Sequence, residues 1–130
     1  MSNMFDDVAA FHKRFGLEPT QQPDFPDQHI WMLKNIHMQE ELNEIRAACL
    51  TGDLEQYFDG IIDLVYVALG AAYLAGLPFE EGFKRVHEAN MKKVRATTAE
   101  ESKRGSTYDI VKPAGWVAPT LKDLLRKEKA

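Results

Sequence analysis

The chain has one cysteine, Cys49, among 130 residues. A lone thiol cannot close an intrachain disulfide, and no charged-then-apolar leader opens the sequence, so a reducing cytoplasmic setting is the expectation. Cations are also scarce: 16 Lys and Arg stand against 20 Asp and Glu, for a net charge of −4. Phosphate-backbone binding needs a clustered cationic excess, so nucleic acid is not an expected partner. The one strongly apolar segment, residues 64–78, is uncharged for 15 residues. A bilayer span wants roughly 20, and Asp59 and Asp63 stand just before it, so no membrane partner is expected. No internal repeat, low-complexity tract or β-type alternation of useful length occurs. What remains, 45% hydrophobic and 28% charged residues, suits one soluble domain, 1–130, with a single core.

Apolar spacing then divides the chain. Met4, Phe5, Val8, Phe11 and Phe15 predict a first short helix, stopped by Gly16. Pro19, Pro23 and Pro26 predict an extended loop over residues 16–27. Ile30, Leu33, Ile36, Leu42, Ile45 and Ala48 predict a long amphipathic helix over 28–50. A turn at 51–53 follows, with Asp53 a suitable N-cap, and a third helix over 54–75. Pro78 suits the start of a fourth helix, 79 to about 95. Residues 96–116 read as irregular. Thr120 and Asp123 resemble a capping box for a short last helix, 121–127. The fold class is all-α: an antiparallel helical bundle of four main helices, with its core in 28–95 and a C-terminal tail, 96–130. The third helix is apolar on nearly every face, more than one hairpin and one helix can cover. Assembly as a homodimer or homotetramer is the expectation.

Charge placement is where chemistry enters. Glu40, Glu41 and Glu44 fall within five residues of the second helix, in one sector, although like charges at this spacing repel by a few tenths of a kcal/mol. Alone, such a cluster reads as a solvated acidic edge. A second pair, Asp59 and Asp63, lies about 40° apart on the third helix. If the two helices form an antiparallel hairpin about the 51–52 bond, Glu44 comes level with Asp59 and Glu40 with Asp63. Glu41 comes level with Ile62, next to Asp63. Converging carboxylates cannot all ionise in a partly buried site without a cation. An all-oxygen ligand set favours Mg²⁺ or Mn²⁺ over Zn²⁺. A di-iron bundle would use Glu-x-x-His motifs, and the sequence has none.

These segments (EELNE, DGIIDLVYVALG, FKRVHEANMKKV and a tail with KPAGW) together resemble the MazG-like and phosphoribosyl-ATP pyrophosphohydrolase-like group of all-α nucleoside triphosphate pyrophosphohydrolases, over about residues 31–121. Glu41 and Glu44 match the group's ExxE motif, with Glu40 as the acid that often precedes it. In place of the common second motif, ExxD, Gly60 occupies the Glu position. Asp59 and Asp63 match the DxxxD branch. The resemblance implies that Asn90 and Lys93 contact the nucleotide and that Lys112 and Trp116 belong to a flap over phosphates or base. Lys112 would act there as a point charge and Trp116 by stacking, with docking of the tail on its own bundle as the alternative for Trp116. Pro119 follows Val117 and Ala118 where many relatives have Pro-Pro. His37, four residues before Glu41, would orient a carboxylate or water, or else be an ordinary helix-face histidine.

The expected function is hydrolysis of a (deoxy)nucleoside triphosphate to monophosphate and pyrophosphate. Glu41, Glu44, Asp59 and Asp63 would hold Mg²⁺ or Mn²⁺, and Glu40, Glu41 or Glu44 would help position or deprotonate water. Asn90, Lys93, Lys112 and Trp116 would bind substrate. Phage members of the group include guanine-nucleotide enzymes, which implies a lean to dGTP or GTP. The alternatives are another pyrophosphohydrolase substrate, dUTP or phosphoribosyl-ATP, or a non-catalytic helical interaction module.

Overall fold

The computed structural model describes residues 3–126. Its elements run α1 (Met4–Arg14), α2 (Gln28–Thr51), α3 (Leu54–Leu74), α4 (Phe79–Asn90), β1 (Val94–Arg95) and β2 (Ile110–Val111), with 3-10 turns at Ala99–Glu101 and Lys122–Leu125. Among the described residues these form two compact units, the first running to Phe79 and the second spanning Glu80–Leu124.

The first unit is built on the α2–α3 hairpin. Gly52 adopts φ 71° and returns its N–H to the Ala48 and Cys49 carbonyls, closing α2. At the next residue the Asp53 side chain accepts the Gln56 N–H at 3.1 Å and opens α3, so the reversal has no spare residue and the antiparallel register is set at the turn. The helices then approach closely at Gly60, where a Cβ would lie 2.7 Å from Ile45 Cγ1. Helix α1 lies on α3, with the Phe11 and Tyr66 rings edge-on at 5.4 Å and Phe5 near Tyr73. Val8, Ile45, Ala48, Val67, Leu69, Ala72 and Leu74 are the buried apolar side chains of this unit. The proline-rich loop runs back over the end of α3. There the Thr20 and Asp24 amides donate to the Leu74 and Ala75 carbonyls, which a helix end otherwise leaves without partners.

One chain does not cover this hairpin. Leu33, Ile36, Leu42, Phe58 and Ile62 are all exposed, Phe58 by 65%. By length and composition, α3 is also the one helix among the described residues long and apolar enough to cross a membrane. Its 21 residues exceed the uncharged stretch within it, so the length of that stretch does not itself argue against a span.

The second unit departs from expectation in two places. Helix α4 ends at Asn90, not near residue 95, because the amides of Lys92 and Lys93 turn back to the Ala89 and Asn90 carbonyls. The chain then extends, and an antiparallel ladder pairs Val94 with Val111 and Arg95 with Ile110. The unit is thus not wholly helical: three of the four paired residues are β-branched and suit a pleated backbone, while two-residue strands are too short to show alternation. Asp123 is gripped by Arg85 through two bonds of 2.7 and 3.0 Å, and Arg85 also donates to the Thr120 carbonyl. The last helical turn spans Lys122–Leu125, and Lys127, the expected end of that helix, lies outside the described residues.

Candidate active site

Hairpin register brings the two acidic motifs to one level. Glu41 is buried, Asp63 half-buried, and Glu44 and Asp59 exposed. Burial raises the pKa of Glu41 above the usual carboxylate range, and the charges of Glu44 and Asp63 raise it further. Burial likewise raises Asp63, with added contributions from Asp59 and Glu44. Four carboxylates from two helices therefore share one field. His37 opposes them weakly, its Nε2 being 3.4 Å from Glu41 Oε1. Glu40 is exposed and is not among the charges that raise Glu41 or Asp63.

Glu41 Oε2 is buried with no hydrogen-bond partner. Buried polar atoms are nearly always paired, so an orphan of this kind needs a reason. The donor set is wholly carboxylate oxygen, which fits a hard divalent cation, and Oε2 is the atom such an ion would satisfy. Among the described residues no three Asp, Glu, His or Cys side chains are already drawn together as a ligand cage. Gly60 explains the departure in the second acidic motif. A glutamate there would drive its Cβ into Ile45, so the close helix contact has taken that position and the acid stands at Asp59.

In the second unit, Asn90 is the last residue of α4 and is exposed. Lys93 Nζ lies 4.9 Å and Lys112 Nζ 5.2 Å from the centre of the Trp116 ring. The Trp116 indole N–H donates to the Ala89 carbonyl at 2.7 Å. The tail thus docks its tryptophan on its own helix, the alternative reading of Trp116, and the ring gathers both lysines.

Residues 8–90 match the family model described as phosphoribosyl-ATP pyrophosphohydrolase. The chain belongs to that family. It lies in the MazG-like all-α nucleoside triphosphate pyrophosphohydrolase superfamily, whose activity is the release of pyrophosphate from a nucleotide-type substrate. No curated protein matches the chain. The matched region holds both acidic motifs and Asn90, and ends before Lys93, Lys112 and Trp116. In the same hairpin unit, His12 carries no stronger signal in the sequence than an ordinary histidine, and Lys34 was not singled out. Lys34 carries one legible signal, its place two helical turns before Glu41 and nearly on the same face of α2.

Proposed function

We propose that the protein hydrolyses a (deoxy)nucleoside triphosphate, with a lean to dGTP or GTP, to the monophosphate and pyrophosphate, using Mg²⁺ or Mn²⁺. The observation that carries this reading is the buried, unpartnered Glu41 Oε2 within a set of four carboxylates of which two are pushed toward protonation. A merely solvated acidic stripe has no reason to bury its central member. Glu41, Glu44, Asp59 and Asp63 would hold the cation. When bound, a divalent ion polarises phosphate oxygens and makes water more acidic. Glu44 and Glu40, both exposed, can accept a proton from water and orient it. Lys93 and Lys112, from this chain or a neighbouring copy, would offset phosphate charge, with Asn90 alongside. Trp116 contributes by holding the two lysines.

A cytoplasmic homodimer or homotetramer belongs to the same reading. The apolar side chains left exposed on α2 and α3 support self-association. Sedimentation of a fully active monomer at micromolar concentration would remove that part. A second substrate, phosphoribosyl-ATP, is favoured by the family's description. The deciding experiment is a panel of ribo- and deoxynucleoside triphosphates with phosphoribosyl-ATP, assayed with Mg²⁺, Mn²⁺ and a chelator. Pyrophosphate and a monophosphate are the expected products. A diphosphate with orthophosphate as the main products would overturn the reading.

A further inference from the structure

The two oxygens of the Glu41 carboxylate have unlike surroundings. Oε2 is buried and has no hydrogen-bond partner, whereas Oε1 has His37 Nε2 at 3.4 Å. A carboxyl group turns readily about its last torsion, whose minima are broad, so a glutamate without a neighbour would offer either oxygen to the site. Here the imidazole distinguishes them. As a ligand to a cation Glu41 is ionised and only accepts, so the facing Nε2 carries its hydrogen toward Oε1. Oε2 is then the oxygen left for the ion.

The position of His37 sets this contact apart from an ordinary pair on a helix surface. It stands one turn before Glu41 and about 40° from it around α2. Its charge acts on Asp63 as well as on Glu41, so it lies within reach of one acid from each helix. Glu40, though adjacent to Glu41, is not among the charges that raise either acid. By the register of the hairpin His37 comes level with Tyr66, three residues beyond Asp63. The imidazole therefore bounds the acidic level on the side away from the turn. Among the described residues its contact with Glu41 is the one ion pair that any of the clustered acids makes.

Two simpler roles for the histidine do not account for it. Its charge is the weakest influence on both acids, so neutralising them is not its contribution. Its side chain is 45% exposed, so filling the core is not either. Direction remains. We propose that His37 is a positioning residue for the candidate metal site: its Nε2–H holds Glu41 Oε1 and thereby aims Oε2 at the cation. This rests on the hydrolase reading and adds a residue to its site. Partners of this kind behind ligating carboxylates are worth about 10–100-fold in metal affinity.

The test compares His37→Leu, which removes the donor, with His37→Gln, whose amide N–H₂ reaches about as far as Nε2. Binding of Mn²⁺ to the protein without nucleotide, read from the paramagnetic resonance of the free ion, should weaken about tenfold or more in His37→Leu and largely recover in His37→Gln. With a nucleoside triphosphate that the wild type cleaves, His37→Leu should need about tenfold more Mn²⁺ for half-maximal pyrophosphate release and approach the wild-type kcat at saturating Mn²⁺. A histidine that only decorates the helix would leave Mn²⁺ affinity unchanged in His37→Leu, which would overturn the proposal. Equal weakening in both variants would overturn it too, since the donor would then not be what counts. Wild-type protein that binds Mn²⁺ no better than His37→Leu leaves the hydrolase reading standing and removes this one, whereas wild-type protein that binds no Mn²⁺ removes both.

Discussion

The acids of the two units respond to their surroundings in opposite directions. Glu41 and Asp63 lose solvent among other carboxylates, and both are raised. Asp109 is pulled down to about 2, chiefly by hydrogen bonds from Arg104 and Ser102, at 2.6 Å each. Asp123 has the two bonds from Arg85. The second unit supplies its half-buried acid with a cation and a hydroxyl, as a structural carboxylate requires. Among the described residues the hairpin supplies its acids with only His37, whose Nε2 is 3.4 Å from Glu41 Oε1 and which offsets little of the rise. A local conflict that a single Gln or Asn would relieve marks a site kept for chemistry and not for stability.

The largest test of that contrast is Glu41→Gln, which keeps shape and removes charge. Pyrophosphate release should fall by at least about a hundredfold, while the metal-free variant melts at or above the wild-type temperature. Asp109→Asn should do the reverse, melting lower with the chemistry spared. A Glu41→Gln protein that stays active and melts lower would break the comparison.

Next in size is Gly60→Glu, which restores the commoner second acidic motif. Forcing a Cβ to 2.7 Å from Ile45 Cγ1 should cost about 1–3 kcal/mol, read by denaturant unfolding. Adding Ile45→Ala makes room, so the double variant should recover part of that loss relative to Ile45→Ala alone. If Gly60→Glu is as stable as the wild type, the close contact does not explain the missing glutamate.

The pH dependence sharpens the comparison further. A carboxylate raised on folding binds more protons in the folded state, so its contribution is full below about pH 4 and is lost as pH rises through the raised value. A lowered one, Asp109, contributes above about pH 4 and loses that contribution as pH falls toward 2. Metal-free stability should therefore carry a component that declines from about pH 4 toward neutrality. Mg²⁺, or Glu41→Gln with Asp63→Asn, should flatten it. Urea midpoints across that range check this, and an unchanged decline in the double variant would contradict the assignment.

Helix signals over residues 4–75 were legible because each boundary has a local cause: Gly16, three prolines, Gly52 and the Asp53 cap. The acidic level of the hairpin followed from the tight turn, which fixes register without long-range information. The early end of α4 was not legible, since a two-residue ladder depends on Ile110 and Val111 arriving from 15 or more residues away. Nor was the approach of both His12 and Lys34 to Gly70. Joining α1 to α2 across Gly70 needs packing that no spacing rule expresses. Gly60 was visible as a departure, but its reason, Ile45 on the opposite helix, was not.

The smallest expected effect concerns Trp116. Trp116→Phe keeps a ring for Lys93 and Lys112 but removes the N–H that holds the Ala89 carbonyl at 2.7 Å. One such bond contributes about 1 kcal/mol, and a phenyl face attracts the two ammoniums less than an indole face. If the tryptophan docks the tail and gathers the lysines, the variant should lose about that much stability. It should also raise KM by a similar factor for every nucleotide, whatever its base. If instead the indole stacks on the base, the KM rise should be larger for purines than for pyrimidines, with little loss of stability. Measuring KM for one purine and one pyrimidine triphosphate beside a urea titration separates the two, and a base-dependent rise would move Trp116 from the architecture of the tail into the recognition of the base.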